Sequence, residues 1–374
     1  MLRSNYLGFL IFAFTMVIFF VIPEFGGMQK PFRIALCLAF PVIYLALLLK
    51  KEISYYTLLP VAGATLLMLL MDLRGTLQSS YVNAYLCLFG LLCINVLLFE
   101  LTEARKANLR YLFILAALSF LLQFLIFSHQ DGRPKLAYEI NEGGAYLFLF
   151  FIAADILGCK WGKLLVVALS LFLLSRLLIF SIFIYYLVKY GKRYFTGILT
   201  KLNAATMALC CFALISILSI WYTSNIKSTI SYETGFHRIV HLNDGSNQIR
   251  FNTNTQVLKT IFSSPTSPSV LLGYGSVQNF LKAQKTGFPP HNELFDSLVQ
   301  FGLLVVILFA LVSLSSFNKL VSFSNIEYFI PLLFYTSILW VRYLLIPGPE
   351  MLFILFLLFI AGKKNPSENP AIVK

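Results

Sequence analysis

The sequence predicts an all-α polytopic membrane protein with about 12 transmembrane helices and one long outward-facing loop carrying short amphipathic helices. Three observations predict it. Of 374 residues, 59% are hydrophobic and 12% charged, with a mean hydropathy of +0.80; a soluble domain carries about a quarter charged residues. Apolar runs long enough to cross a bilayer recur along the whole chain. The net charge is +13, yet Lys and Arg collect at the ends of those runs rather than in one basic stripe. That is the pattern of membrane topology and not of a nucleic-acid surface.

The first apolar run, near 6–22, has the look of a signal peptide but lacks a small-residue cleavage site, so it reads as a retained span. Spans follow near 32–49, 55–71, 81–99 and 109–127. An outer loop, "SHQDGRPKLAYEINEGG", then covers 128–144 and leads into a span near 144–158. Short runs at 164–174 and 177–188 flank "LLSRLL" and read as two short spans or one kinked unit. A span near 202–221 precedes the long loop, 222–292, and spans near 294–314, 327–344 and 348–361 close the chain. With the N-terminus in the cytoplasm, the basic loops "KKE", "EARKANLR", "CKWGK" and "KYGKRY" all fall inside, and both termini come out cytoplasmic. Residues 1–374 thus read as a single integral membrane domain, with 222–292 as its periplasmic loop. Within that loop "NTQVLKTIF" has helical periodicity, which places Val257, Leu258, Ile261 and Phe262 on one side of a surface-lying helix. No internal repeat is evident.

Several chemistries are absent from the sequence. The six cysteines (Cys37, Cys87, Cys93, Cys159, Cys210 and Cys211) form no C-x-x-C pair, so neither a disulfide framework nor a zinc site is suggested. There is no P-loop, no dinucleotide-binding glycine motif and no paired-aspartate metal motif. His237 and His241 are four residues apart but lack the glutamate of a zinc-protease motif and a third ligand, so no metal or cofactor is expected.

By this topology all four histidines and most of the isolated arginines face the outer compartment, and the inner side holds no comparable cluster. An outward-facing transferase needs a donor already in the membrane. A lipid diphosphate is the natural one, and arginine forks onto its phosphate oxygens. Arg176 interrupts an apolar run, where a charge either serves function or anchors a helix end. Arg250 lies in the long loop, as a solvated charge or a phosphate ligand. Arg342 and Glu350 bracket "YLLIPGP"; they pair with each other or line a cavity shared with Arg176. In "PPHNELF", Asn292 suits an N-cap and Glu293 a first helical turn, which accounts for both without catalysis. His291 is not explained by capping and has the right chemistry to take a proton from a sugar hydroxyl. Asp296 shares a helix face with Asn292 and stands, with Glu293, as a further candidate base. Gly273 and Gly275, in "LLGYGSV", mark a tight turn.

The order of these pieces carries a resemblance: "LLSRLL", then "IRFNTNTQVLKTIFSSP", then "GYG", then "PHNELFDSLVQFGLL". Together they resemble the O-antigen polymerase and ligase superfamily of bacterial inner membranes, and its Wzy-type polymerases in particular. The motifs cover residues 144–314 and the span count covers the whole chain. The resemblance implies a metal-independent, inverting glycosyltransferase that joins undecaprenyl-diphosphate-linked repeat units in lipopolysaccharide biosynthesis. Its active site would face the periplasm. Its partners would be lipid-linked oligosaccharide donor and acceptor, with chain length left to a regulator protein. Arg176 and Arg250 would hold the diphosphate, and His291 would act on the acceptor. The ligases of this superfamily often carry another histidine just before the His–Asn pair. Here "FPP" stands there, which favours the polymerase over the ligase that transfers a finished chain to lipid A core. A lipid-linked oligosaccharide flippase is the alternative from a different class.

Overall fold

The computed structural model describes residues 2–23, 27–126, 129–130, 133–134, 136, 140–173, 175–194, 203–225, 245–284, 289–290, 292–338 and 344–364. The chain is helical, with a two-residue antiparallel pair joining His129–Gln130 to Arg133–Pro134. In chain order the helices are α1 (Leu2–Met16, continued as a π-turn at Val17–Val21), α2 (Gln29–Leu49), α3 (Leu58–Leu73), α4 (Ser79–Leu97) and α5 (Glu103–Ile126). There follow α6 (Ile140–Ile156), α7 (Lys160–Leu173), α8 (Arg176–Gly191) and α9 (Ala204–Asn225). Three shorter helices cross the long loop: α10 (Gly245–Ser263), α11 (Pro268–Leu272) and α12 (Val277–Gln284). The last are α13 (Glu293–Leu320), α14 (Ile326–Ile338) and α15 (Pro349–Lys364).

Six described helices are long and apolar enough to cross a membrane: those at 29–49, 55–73, 79–97, 103–126, 204–224 and 293–320. Asn5–Val21 and Ile326–Ile338 are shorter apolar helices. This coarser set is compatible with a polytopic membrane protein and falls short of the expected twelve crossings. The "LLSRLL" segment resolves into two separate helices, α7 and α8, because Ser175 between them is extended (φ −84°, ψ 98°).

Burial sorts the helices into inner and outer ones. In α6 every side chain from Ala145 to Ile156 is buried, and in α15 Met351 to Leu358 are. Both are apolar all round, which is the pattern of a helix surrounded by protein. Rings from distant helices stack against them: Phe113 on Phe150 at 4.1 Å and Phe12 on Phe353 at 5.1 Å. Offset aromatic pairs of this kind add about 0.5–1.5 kcal/mol each beyond their burial. By contrast α3 and α5 expose Leu59, Leu66, Leu73, Leu118 and Leu125. Exposed leucine rows suit contact with lipid, since hydrocarbon there costs nothing. Close helix approach is set by small residues. A Cβ at Gly8 of α1 would meet the Leu97 carbonyl of α4 at 1.7 Å, so only glycine fits.

One end of the bundle carries a charged cluster that the sequence reading did not anticipate. Asp155, near the end of α6, accepts hydrogen bonds from Lys163 Nζ (2.5 Å), Tyr185 Oη (2.5 Å), Tyr328 Oη (2.7 Å) and Lys189 Nζ (3.2 Å). Lys192 and Glu327, both buried, pair beside it at 3.3 Å. Lys163, Lys189 and Lys192 look like topology markers in the sequence, but their ammonium groups reach inward to carboxylates. The cluster ties α6, α7, α8 and α14 together; Asp155 has four donors and Glu327 is paired with Lys192, as buried charges require.

Candidate functional site

At the other end of the bundle lies a cavity of about 440 Å³. Five helices begin at its wall. Arg33 comes from α2, Ser80 and Asn83 from α4, Glu142 and Tyr146 from α6, Asp296 and Gln300 from α13, and Glu350 from α15. The segment Ile346–Pro349 closes one side and Cys87 lies deepest along α4. Helix N-termini carry partial positive charge. Glu142, Asp296 and Glu350 sit in first turns, where a carboxylate is individually favourable. The dipole does not require all three to converge on one cavity.

The wall is hydrogen-bonded across helices. Arg33 Nη2 donates to Glu350 Oε1 and forms an ion pair with it. Arg33 Nη1 donates to Tyr146 Oη at 3.3 Å, and that hydroxyl donates to Glu350 Oε1 at 3.1 Å. Gln300 Nε2 donates to both carboxylate oxygens of Asp296, at 2.9 and 3.1 Å. Opposite α13, Cys37 Sγ and Cys87 Sγ touch at 3.4 Å; all six cysteines are free thiols.

The first part of α13 is held at both ends. Asn292 caps it: its backbone is extended and its Oδ1 accepts from the Phe295 amide at 2.8 Å. Glu293, fully buried, reaches back to accept from the amides of Leu344, Leu345 and Ile346 at 3.0, 2.6 and 3.3 Å. Three successive amides around one carboxylate make an anion nest. Nine residues on, Gly302 breaks the helix with φ +79° and ψ 172°, a region open essentially to glycine alone. The break leaves carbonyls of the preceding turn without helical donors. The "GYG" loop supplies donors: Tyr274 N bonds Val299 O at 2.8 Å and Gly275 N bonds Gln300 O at 3.2 Å. Gly273, itself at φ +75°, passes so close that a Cβ there would lie 2.3 Å from the Gln300 carbonyl. Gly273 and Gly302 therefore permit a close backbone approach at the break, while Gly275, the second glycine of "GYG", passes close to the Thr76 backbone.

The predicted residues divide as follows. Asp296 lines the cavity. Glu350 also lines it, and its described partners are Arg33 and Tyr146. Glu293 sits beneath the wall, its carboxylate taken by the 344–346 backbone, so it is placed to hold the segment rather than to meet a ligand. Arg176 is the first residue of α8 and half-buried. Its helix start packs near Gly144, where a Cβ would lie 3.2 Å from Ser175 Oγ; Glu142, two residues earlier, lines the cavity. A cation at a helix N-terminus opposes the dipole, so helix stability does not explain Arg176. Arg250 lies on α10, with its side chain outside the described residues. His291, Arg342, His237 and His241 lie outside them altogether. Among the described residues no group of histidine, cysteine and acid side chains is arranged to hold a metal ion.

Sequence reasoning missed Arg33, Tyr146, Glu142 and Gln300. Arg33 carried a signal, a lone arginine at the start of an apolar run in "KPFRIALCL". Gln300 follows Asp296 by four residues, the spacing of a helical pair, inside a run that otherwise looks like plain membrane helix. Compared with known proteins, the chain matches no family model, no curated protein and no solved structure.

Proposed function

We propose that the chain is a polysaccharide polymerase of the O-antigen type, acting on undecaprenyl-diphosphate-linked repeat units at the periplasmic face of a bacterial inner membrane. The observation that carries the reading is the polar cavity at the mouth of α13, with Asp296 in its wall. Among the described residues three carboxylates and one guanidinium line it, which suits the hydroxyls of an acceptor sugar better than a diphosphate. The diphosphate falls to Arg176, Arg250 and Arg342.

In the reaction the acceptor oxygen attacks the anomeric carbon and a new glycosidic C–O bond forms. The bond from that carbon to the diphosphate oxygen breaks, and undecaprenyl diphosphate leaves with the electron pair. The hydroxyl proton passes to His291 or Asp296. Preorganised arginines stabilise the leaving charge, so neither metal nor general acid is required. Glu293 keeps the 344–346 segment against the cavity. In-line attack inverts the anomeric centre.

A carrier for the same lipid-linked oligosaccharide is the second reading, favoured by the Arg33–Glu350 pair inside a helix bundle. Deletion of the gene separates them. Loss of a polymerase leaves single repeat units on the lipid A core. Loss of a flippase or of a ligase leaves the core bare, the ligase with long chains still on the lipid carrier. Normal long chains after deletion overturn all three.

A further inference from the structure

The loop helices α10, α11 and α12 build a platform of their own. Val257, Phe280, Phe295 and Val299 are buried together, with Leu258, Ile261 and Tyr274 packed around them. This small core seats the loop on the first part of α13, the same nine-residue stretch whose Asp296 and Gln300 line the cavity. On the platform's outer side is a trough of about 330 Å³, near the small end of the range for ligand pockets. Its described lining is almost wholly polar and uncharged: Gln256, Thr260, Ser263, Tyr274 and Gln284, with three further serines and the cation Lys259. Among the described residues it contains no carboxylate, in contrast to the cavity.

The hydrogen-bond directions in the trough are specific. Thr260 Oγ1 donates back to the Gln256 carbonyl at 2.9 Å, and Ser263 Oγ to the Thr260 carbonyl at 3.3 Å. A hydroxyl whose proton is used this way offers lone pairs to an incoming O–H donor. Gln256 Nε2 donates to Gln284 Oε1 at 2.9 Å, which orients both amides, with the Gln284 NH2 as a donor. The Tyr274 ring is held edge-on by Phe280, with centroids 5.3 Å apart. Fixed amides, acceptor hydroxyls and an aromatic ring in one shallow trough match the alternating hydroxyls and apolar ring faces of a saccharide.

The trough and the cavity share a wall. Tyr274 lines the trough and its amide bonds Val299 O, while Gly275 bonds the carbonyl of Gln300, whose side chain lines the cavity. We infer that the trough is a second saccharide subsite, which holds the acceptor chain while its reacting end occupies the cavity. This rests on the polymerase reading for its role, though not for the binding itself. Lys259 would extend the preference to acidic sugars.

The test uses the full chain in lipid nanodiscs and, as probe, short oligosaccharides released by mild acid from the surface polysaccharide of the source organism. Saturation-transfer NMR reads their binding. Wild type and Tyr194→Phe, at an exposed position at the other end of the bundle, should bind alike. Ser263→Trp, at an exposed position, should fill the trough, and Gln284→Ala should remove a donor; each should weaken binding at least tenfold. In cells both should shift the polysaccharide ladder toward shorter chains while linkages still form. Absence of binding by wild type, or unchanged binding in Gln284→Ala, overturns the subsite. Loss of binding with an unchanged ladder overturns its role in chain growth. Binding that persists while gene deletion leaves normal chains instead overturns the polymerase reading and leaves the subsite standing.

Discussion

Glu293 and Asp296 are three residues apart on one helix and have different tasks, because their surroundings differ. Glu293 is enclosed by backbone amides, whereas Asp296 lines a cavity and accepts from the Gln300 side chain. Replacing Glu293 with Ala leaves three buried amides without an acceptor, at about 1–3 kcal/mol for each one that water cannot reach. The expected outcome is a marked fall in thermal stability of the detergent-solubilised protein, with Glu293→Gln recovering part of it. If Glu293→Ala melts like wild type and only activity is lost, Glu293 is a reacting group and not a support. Asp296→Asn keeps the shape and one of the two Gln300 hydrogen bonds but removes the negative charge. It should leave the melting temperature nearly unchanged while polymer formation drops by about 100-fold, within the range for loss of a general base. Equal losses of stability and activity would place Asp296 among the structural acids instead.

At the scale of elements, α13 is a membrane-length helix broken once, and the break matters more than its length. Gly302→Ala would put a Cβ 2.2 Å from the Gly273 amide and force an unfavourable backbone angle, at about 1–3 kcal/mol for the dihedral alone. The loop platform should undock, which limited proteolysis would detect as new cleavage within residues 245–284. Resistance equal to wild type would mean that the loop is held by its small core alone. Periodicity in the sequence was right for part of this platform. Val257, Leu258 and Ile261 do face its core, but Phe262 is 77% exposed; α10 packs on α9 as well as on α13, with Thr255 meeting Thr223 and Asn254 meeting Ser219, so its buried positions are spread over two partners. The turn before α8 was legible only as a choice between two short spans and one kinked unit. Its resolution depends on how Ser175 packs against Gly144, which pattern alone does not encode.

For the whole molecule, orientation is the property on which the proposed chemistry depends. The cavity, the α13 mouth and the loop platform share one end, and the Asp155 cluster marks the other. In a cysteine-free background, Asn279→Cys on the platform should react with a membrane-impermeant maleimide in intact spheroplasts. Tyr194→Cys, just past α8, should react only after lysis. The reverse pattern would turn the cavity toward the cytoplasm and remove the polymerase reading. At the far end, Asp155→Asn removes the charge that gathers Lys163 and Lys189; it should lower thermal stability without moving the polysaccharide ladder in the molecules that fold. A shortened ladder at full stability would give that end a part in function.

Composition and the placement of basic residues were enough to determine a helical chain built for a membrane, because hydrocarbon admits few alternatives. The N-cap at Asn292 and the helical loop were also local properties, readable from a few neighbouring residues. The cavity was not, since its walls come from five helices between Arg33 and Glu350 and no sequence interval joins them. Tertiary structure alone decided that Glu293 grips a segment some fifty residues away, that two glycines allow a loop to cap a broken helix, and that lysines which look like topology markers neutralise a buried aspartate. Each of these is a polar group finding its partner across the fold. A buried charge must be satisfied by something, but the sequence does not say by what.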